Sequence, residues 1–225
     1  MSYFLKFAVL CFTLSASLVS ASSANLPDSE KSGFVAIIGN TKFSLTTIQQ
    51  SQLPAPFDFL LTQPLMTVGL EQHYQRSGQI KVIYKQEIAR KGTYSRAILM
   101  LMDNDKNRND VKKAEARHEV IAVELALIKM NFKALPKEVI NGVLHSSIPF
   151  GKLLVMNGIK TTSSHRSYFK MTCNTQLAAF INCKLNSILY GRKNTLNRAD
   201  NNQWLAHVLE ILPAIQCTEK TCYPV

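Results

Sequence analysis

The stretch TYSRAILMLMD, residues 93–103, decides how this chain folds. After Arg96, every residue up to Met102 is apolar, and the run contains neither Gly nor Pro. Its length and its polar flanks favour a buried strand, although periodicity alone also fits a helix. Because side chains alternate along a strand, Arg96 would share one face with Ile98, Met100 and Met102. A buried guanidinium keeps its charge and needs an anionic partner, which is either a carboxylate of this protein or of a ligand.

The segments around this strand define the fold class. A second apolar run, EVIAVELALIKM, follows a charged loop, so residues 96–128 are predicted to form a long antiparallel hairpin. Further strands are predicted in ILYGRKNTL and QWLAHVLEIL, and helices in LPKEVINGVLHS, IPFGKLLVMNG and TQLAAFINCKL. Because strands and helices do not alternate regularly, the sequence predicts an α+β fold with a single, mostly antiparallel sheet and helices packed on one side.

The N-terminus predicts export. Residues 1–24, MSYFLKFAVLCFTLSASLVSASSA, are typical of a secretory signal peptide, with one lysine, an apolar stretch and then small residues. The apolar stretch is shorter than the roughly 20 residues that a membrane span needs. Residues 25–225 are then predicted to form one domain, with an N-terminal extension at 25–45 and a C-terminal tail at 214–225. We therefore expect a periplasmic or secreted protein, without stable membrane insertion once the leader is removed.

Four cysteines follow the predicted leader: Cys173, Cys183, Cys217 and Cys222. An even number of cysteines in an exported chain predicts disulfides. Sequence proximity favours the pairs Cys173–Cys183 and Cys217–Cys222 over the other pairings. The wide spacings and the lack of a CxxC pair argue against a zinc site.

The formal net charge of +11 is compatible with anionic partners and equally with solubility alone. No segment resembles a nucleic-acid-binding module, and no basic block is interleaved with aromatic residues, so nucleic acid is not an expected partner. The histidines show no metal-ligand spacing, and no nucleophile motif or phosphate-binding glycine loop occurs. The basic charge therefore leaves anionic small molecules and membrane surfaces as candidate partners, beside solubility alone.

Two acidic residues and one histidine in apolar strands bear on the role of Arg96. Glu124, in the neighbouring strand, offers a purely structural ion pair with Arg96. Glu210 lies in the last predicted strand. His207 lies in the same strand but on the opposite face, unless a bulge intervenes. From the residues alone, the structural pair and a ligand site both remain open.

Between residues 60 and 213, five motifs resemble those of the chorismate pyruvate-lyase family and its wider superfamily, in the same order. LMTVGLEQHYQ resembles the family's early Ser-Met-Thr segment, and YSRAILML resembles its R-E-I-L-L strand. SIPFGKLL resembles the P-L/I-G-R-x-L turn, ILYGRKNTL the L-W/Y-G-R-R strand, and LAHVLEILP the closing E-x-F-L-P strand. The resemblance implies a chorismate lyase-like fold. It also implies an enzyme that eliminates pyruvate from chorismate to give 4-hydroxybenzoate, or that acts on a related aromatic or anionic small molecule, without a metal or an organic cofactor.

The same resemblance implies roles for individual residues. It places Arg96 on the arginine that binds a substrate carboxylate, and Met66 at a position that touches the product. Phe150 and Gly151 fall at the turn where a backbone group contacts the ligand. Glu210 falls near the catalytic glutamate.

The alignment of that glutamate departs from the family pattern. The family's spacing to the final proline gives Leu209, one residue before Glu210, and counting forward from Gly191 gives His207 as the alternate. Because chorismate is a cytoplasmic metabolite and the leader implies export, two other functions remain open. One is a secreted, non-catalytic binder of an aromatic or anionic ligand, such as a small aromatic carboxylate, and the other is an extracellular interaction protein with a vestigial pocket.

Overall fold

The computed structural model describes residues 45–224. The signal peptide predicted at 1–24, and all but the last residue of the extension predicted at 25–45, lie outside the described residues. The strands are β1 (Thr46–Ile48), β2 (Gln79–Ile88), β3 (Thr93–Asp103), β4 (Val120–Asn131), β5 (Thr161–Thr172), β6 (Ile188–Arg198), β7 (Trp204–Leu212), β8 (Ile215–Cys217) and β9 (Cys222–Pro224). The α-helices are α1 (Phe57–Leu60), α2 (Met66–Tyr74), α3 (Val111–Ala116), α4 (Lys137–His145), α5 (Phe150–Met156) and α6 (Thr175–Ile181). Short 3-10 turns lie at Gln50–Gln52, Ala89–Lys91 and Phe132–Ala134.

In this part of the chain, seven strands form one sheet in the order β1-β5-β6-β7-β4-β3-β2. All neighbouring strands in it run antiparallel. The predicted α+β class with a single, mostly antiparallel sheet is therefore confirmed. The predicted hairpin is also present, because β3 and β4 pair from Thr93 opposite Asn131 to Asp103 opposite Val120.

The helices cover both faces of the sheet, so the prediction that they pack on one side was wrong. One face packs against α1, α2, α4 and α5, in the core cluster that contains Met100. The other face packs against α3 and α6, in a second cluster that contains Leu99 and Leu101. Strand β3 is thus buried on both faces, which is why its sequence is a continuous apolar run rather than an alternating one.

Both disulfides favoured by sequence proximity are formed. Cys173–Cys183 links the end of β5 to the residues after α6. Cys217–Cys222 joins β8 to β9, so the predicted C-terminal tail carries an ordered hairpin. The two disulfides are compatible with an oxidising, exported location. None of the helices between residues 45 and 224 is long and apolar enough to cross a bilayer.

Candidate functional site

A narrow cavity lies between the sheet and the starts of α2 and α5. Its volume is about 40 Å³. Its floor is formed by residues of β3, β4, β6 and β7, and its opposite wall by the chain around Pro64–Thr67 and Pro149–Gly151. Apolar side chains dominate the floor, namely Ile98, Met100, Ala126, Ile128, Leu196 and Val208. The polar residues among them are therefore conspicuous.

Arg96 is a buried cation at this cavity. It lies opposite Ile128 in the β3–β4 pairing, and only 2% of the residue is exposed. Its NH1 group donates a hydrogen bond of 2.9 Å to the carbonyl oxygen of Val143, in α4. Its Nε and NH2 atoms are buried without a partner. Burial lowers the pKa of Arg96 to about 10, opposed by Tyr94, so the side chain stays charged at neutral pH.

The structural pair between Arg96 and Glu124 is not formed. The β3–β4 register places Glu124 opposite Met100, four residues beyond Arg96 along β3. Glu124 also lines the cavity, and no ion pair joins it to Arg96 within residues 45–224. Burial raises the pKa of Glu124 well above its ordinary range, the negative charge of Glu210 raises it further, and Arg192 opposes the shift. Burial and the charge of Glu210 thus both favour the protonated form of the Glu124 carboxyl group.

Glu210 lines the same cavity, but its carboxylate already has a partner. Arg192 lies directly opposite Glu210 in the β6–β7 pairing and donates to it from Nε at 2.5 Å. Only 1% of Arg192 is exposed, and its NH1 group also donates to the carbonyls of Leu61 and Gln63. Arg192 thus hydrogen-bonds both Glu210 and the segment that precedes the cavity wall.

Gly191 allows this arrangement. A Cβ at Gly191 would collide with the carbonyl oxygen of Glu210 and with the ring of Phe169. Without a side chain, β6 approaches β7 closely enough for the neighbouring Arg192 to pair with Glu210. This close approach explains a glycine within the apolar strand.

His207, the alternate catalytic residue, does not reach the cavity. Strand alternation places it on the opposite face of β7 from Glu210. Its Nδ1 lies 2.9 Å from Oγ1 of Thr195, and its ring stacks on Trp204 with centroids 4.7 Å apart. Burial lowers the pKa of His207, and the positive charge of Lys129 adds to this effect. The alternate assignment is corrected because no bulge in β7 brings His207 to the cavity face.

The remaining residues singled out from the sequence do meet at the cavity. Met66 begins α2 and Phe150 begins α5, and both are buried. Gly151 follows Phe150 and also lines the cavity. The structure therefore brings these three residues together with Arg96 and Glu210.

Sequence reasoning missed two polar residues of β6. Arg192 appeared only as a letter of the ILYGRKNTL motif. Asn194 lies opposite Val208, on the cavity face of the sheet, and both its side-chain amide atoms are buried without a partner. The alternation of Tyr190, Arg192, Asn194 and Leu196 along one strand face was the available signal, because it places two polar groups in an apolar row.

The arrangement can hold an anion and can supply a proton. Arg96 offers two unused donors, and Glu124 offers a carboxylic O–H. No group of three His, Cys, Asp or Glu side chains in residues 45–224 is placed to hold a metal ion.

Comparisons with known proteins give distant likenesses. No protein-family model matches the chain, and no curated protein matches it. The chain is similar to the ligand-binding domain of a regulator assigned to the GntR family from Bordetella bronchiseptica, with 8% identity, a TM-score of 0.41, and coverage of 66% of this chain and 90% of that one. It is also similar to the effector domain of PhnF from Mycobacterium smegmatis, with 10% identity, a TM-score of 0.43, and coverage of 67% and 91%. Such distant likenesses carry no argument about ligand or activity.

Proposed function

We propose that the cavity binds a small molecule with one carboxylate and an aromatic body, and that Arg96 is the partner of the carboxylate. The supporting observation is that Nε and NH2 of this buried guanidinium have no partner. Buried polar groups are almost always hydrogen-bonded, so two orphaned donors at one cavity indicate an absent acceptor. Nε and one terminal nitrogen of a guanidinium match the two oxygens of a carboxylate.

The charges around the cavity favour a singly charged ligand. Arg192 and Glu210 form an ion pair and neutralise each other. The raised pKa of Glu124 favours its uncharged form. The positive charge of Arg96 is therefore left without a counter-ion, and one ligand carboxylate balances it.

The apolar surface of the cavity supports an aromatic body for the ligand. Ile98, Ile128 and Val208 offer flat, branched surfaces on the sheet, and Phe150 and Met66 face them from the helices. Small-molecule sites are commonly apolar clefts with a few placed polar groups that fix orientation. A benzoate-like ligand satisfies both features.

Calorimetric titration of the purified protein with 4-hydroxybenzoate tests this proposal. We expect saturable binding that Arg96→Gln weakens by at least about 100-fold, since two hydrogen bonds to charged groups are worth about 1.5–3 kcal/mol each. Arg198→Gln is the matched control, because Arg198 pairs with Asp200 at the end of β6 and does not line the cavity. Equal affinity of wild type and Arg96→Gln would overturn the proposal. An absence of binding would favour the interaction protein with a vestigial pocket.

A second candidate function is the chorismate pyruvate-lyase reaction implied by the family resemblance. The observation that favours it is the position of Glu124 at the cavity together with its raised pKa, because a general acid needs a proton to donate at working pH. Glu210 is less suited to that role, since its carboxylate is engaged by Arg192. Chorismate is a dianion, however, and the cavity offers one uncompensated cation.

Incubation of the protein with chorismate tests the second candidate. We expect 4-hydroxybenzoate and pyruvate to form in equal amounts if the site is catalytic, and Glu124→Gln to abolish the reaction. Binding of 4-hydroxybenzoate without turnover would leave the non-catalytic binder as the function.

We also propose that the protein works outside the cytoplasm. The predicted signal peptide and the two disulfides support this location. Fractionation of expressing cells, followed by N-terminal sequencing, should recover a chain that begins after Ala21 or Ala24. An intact chain found only in the cytoplasm would contradict the proposal.

A further inference from the structure

The two disulfides lie in different surroundings. Both sulfurs of Cys173–Cys183 belong to buried residues, within the core cluster that packs α6 against the sheet. In Cys217–Cys222, by contrast, Cys217 is exposed to solvent while only 1% of Cys222 is exposed. The second disulfide therefore has one cysteine at the protein surface, whereas the first has none.

A buried arginine contacts the buried sulfur of this exposed disulfide. Arg76 follows the end of α2 and is 3% exposed. Its NH1 group donates to the Sγ atom of Cys222 at 3.1 Å, and its Nε atom is buried without a partner. No carboxylate within residues 45–224 forms an ion pair with Arg76. The guanidinium thus presents an uncompensated positive charge to a sulfur that is already covalently engaged.

The carboxylates near Arg76 are occupied elsewhere. The negative charges of Asp103 and Asp105 act on Arg76 through space. Asp103, however, accepts two hydrogen bonds from the guanidinium of Arg108 and two from backbone N–H groups. A negative charge formed on Cys222 would therefore find Arg76 as a direct partner.

We propose that Cys217–Cys222 is a thiol–disulfide exchange site that reacts with external thiols, whereas Cys173–Cys183 is structural. The thiolate of a small or protein-borne thiol attacks Sγ of Cys217, forms a new sulfur–sulfur bond and breaks the bond to Cys222. Cys222 leaves as a thiolate, and its negative charge pairs with Arg76. A second thiolate then attacks the mixed disulfide at the sulfur of the external thiol. This step releases the external disulfide and leaves both protein cysteines reduced, with two electrons transferred from the two thiols.

Arg76 promotes the first step because it stabilises the leaving group. A thiol of lower pKa leaves faster in thiol–disulfide exchange, and an adjacent cation lowers a thiol pKa. Arg76 contacts Cys222 and not Cys217, so it also directs the attack to the exposed sulfur. Cys173 and Cys183 have no corresponding contact with a cation in the described part of the chain.

Opening this disulfide would loosen the C-terminal hairpin. Strands β8 and β9 have three residues each, and such short hairpins are marginal without a covalent link. The hairpin is otherwise attached to the loop after β3 by two hydrogen bonds, from Cys222 N to Asn104 Oδ1 at 2.6 Å and from Lys106 N to Lys220 O at 3.1 Å. Exchange at Cys217 is thereby coupled to release of the chain end.

Timed treatment of the folded protein with reduced glutathione, followed by alkylation and peptide mass spectrometry, tests this proposal. We expect Cys217–Cys222 to open at least about 100-fold faster than Cys173–Cys183, since only the former has an accessible sulfur. The first glutathione adduct should be on Cys217, with Cys222 alkylated as the free thiol. An adduct mainly on Cys222, or both disulfides opening together at the rate of global unfolding, would overturn the proposal.

Substitution of the arginine separates its role from simple exposure. We expect Arg76→Met to slow the opening about tenfold, because the leaving thiolate loses its cation, and Arg76→Lys to restore part of the rate. An unchanged rate in a folded Arg76→Met protein would contradict the role of Arg76. If Arg76→Met does not fold, Arg76→Gln replaces it, and an unchanged opening rate in that variant would contradict the role of Arg76.

Discussion

Strand β3 carries a buried charged residue near each end, and the two residues differ in how many of their polar atoms are hydrogen-bonded. Asp103 is fully buried and accepts four hydrogen bonds, two from Arg108 at 2.6 and 2.7 Å and two from the backbone N–H groups of Asp105 and Asp110. Arg96, on the same strand, makes one hydrogen bond and leaves two nitrogen atoms unpartnered. The chain is therefore able to satisfy a buried charge fully, and it does so at one end only.

The difference in hydrogen bonding between Asp103 and Arg96 indicates which of the two charges has a role beyond the fold. A fully paired buried charge can be explained by the fold itself. An underpaired one weakens the fold, and such local conflicts concentrate at functional sites. The surroundings of Arg96 thus support the binding site proposed at the cavity, whereas those of Asp103 are explained by the structure of the loop after β3.

The largest effect on stability is expected where the buried ion pair between Arg192 and Glu210 is broken. Arg192→Met leaves Glu210 buried without its cation and frees the carbonyls of Leu61 and Gln63. We expect the free energy of unfolding to fall by about 3–5 kcal/mol, measured by urea denaturation. A loss below about 1 kcal/mol would show that pairing does not govern stability here.

The next largest effect on stability is expected at Asp103, whose carboxylate accepts four hydrogen bonds. Burial alone would raise the pKa of Asp103, but hydrogen bonds from Arg108 and from backbone N–H groups lower it to about 2. Asp103→Asn should cost about 1.5–3 kcal/mol at neutral pH, the range for hydrogen bonds to charged groups.

The pH dependence of this loss follows from the direction of the shift. A lowered folded-state pKa contributes stability above the unfolded value of 3.8, and this contribution disappears as the pH falls through about 2. Unfolding curves of wild type and Asp103→Asn should therefore converge between pH 4 and 2. A gap that stays constant over this range would contradict the assignment.

A smaller effect of opposite sign is expected at Glu124. Its raised pKa means that the folded state holds the proton more tightly than the unfolded state, so stability falls as the pH rises above the unfolded value of 4.5. Glu124→Gln, which mimics the protonated acid, should match the wild type within about 0.5 kcal/mol at pH 4.5 and become relatively more stable at higher pH. Melting temperatures measured from pH 4.5 to 8 check this, and a variant that loses stability with rising pH relative to the wild type would refute it.

The smallest effect on stability is expected at Arg96 itself. Arg96→Met removes a charge that has one hydrogen bond and keeps the apolar volume, so the free energy of unfolding should change by less than about 1 kcal/mol. Arg192→Met is the matched comparison, with the same substitution in the same cavity. If Arg96→Met also costs about 3–5 kcal/mol, Arg96 has a structural partner, and the contrast between the two ends of β3 fails.

Much of the fold could be predicted because long apolar strands dominate it. The runs that form β3, β4 and β7 are bounded by polar segments. Short connections explain the antiparallel pairing of β2 with β3 and of β6 with β7. Helix α3 was missed because Val111 and Ala114 are its only buried residues, in a segment that otherwise matches a charged loop. The sequence analysis did not predict that helices cover both faces of the sheet, although the unbroken apolar run after Arg96 indicates a strand buried on both faces.

Several residues that line the cavity could be predicted from the sequence, but the ion pair between Arg192 and Glu210 could not. Arg96, Glu210, Met66 and Phe150 were assigned by resemblance, and all four line the cavity. The partner of Glu210 depends on the register of β6 against β7, which brings together residues 18 positions apart. A register shift of one residue changes every facing pair, and the sequence analysis did not derive the register of β6 against β7.

The disulfide pairing could be predicted because each pair is close in sequence, at separations of 10 and 5 residues. The different surroundings of the two disulfides could not be predicted from the sequence. They depend on Arg76, which lies far from Cys222 in the chain and meets it only after α2 and the C-terminal hairpin have packed.

The contacts between Arg192 and the segment before the cavity have a consequence for how the sequence can vary. Arg192 holds this segment through the carbonyls of Leu61 and Gln63, and Arg166 donates to the carbonyls of Thr62 and Gln63. Every amino acid supplies the same carbonyl, so these contacts do not depend on which side chains occupy positions 62 and 63. Relatives of this protein should therefore differ freely at those positions while retaining both arginines.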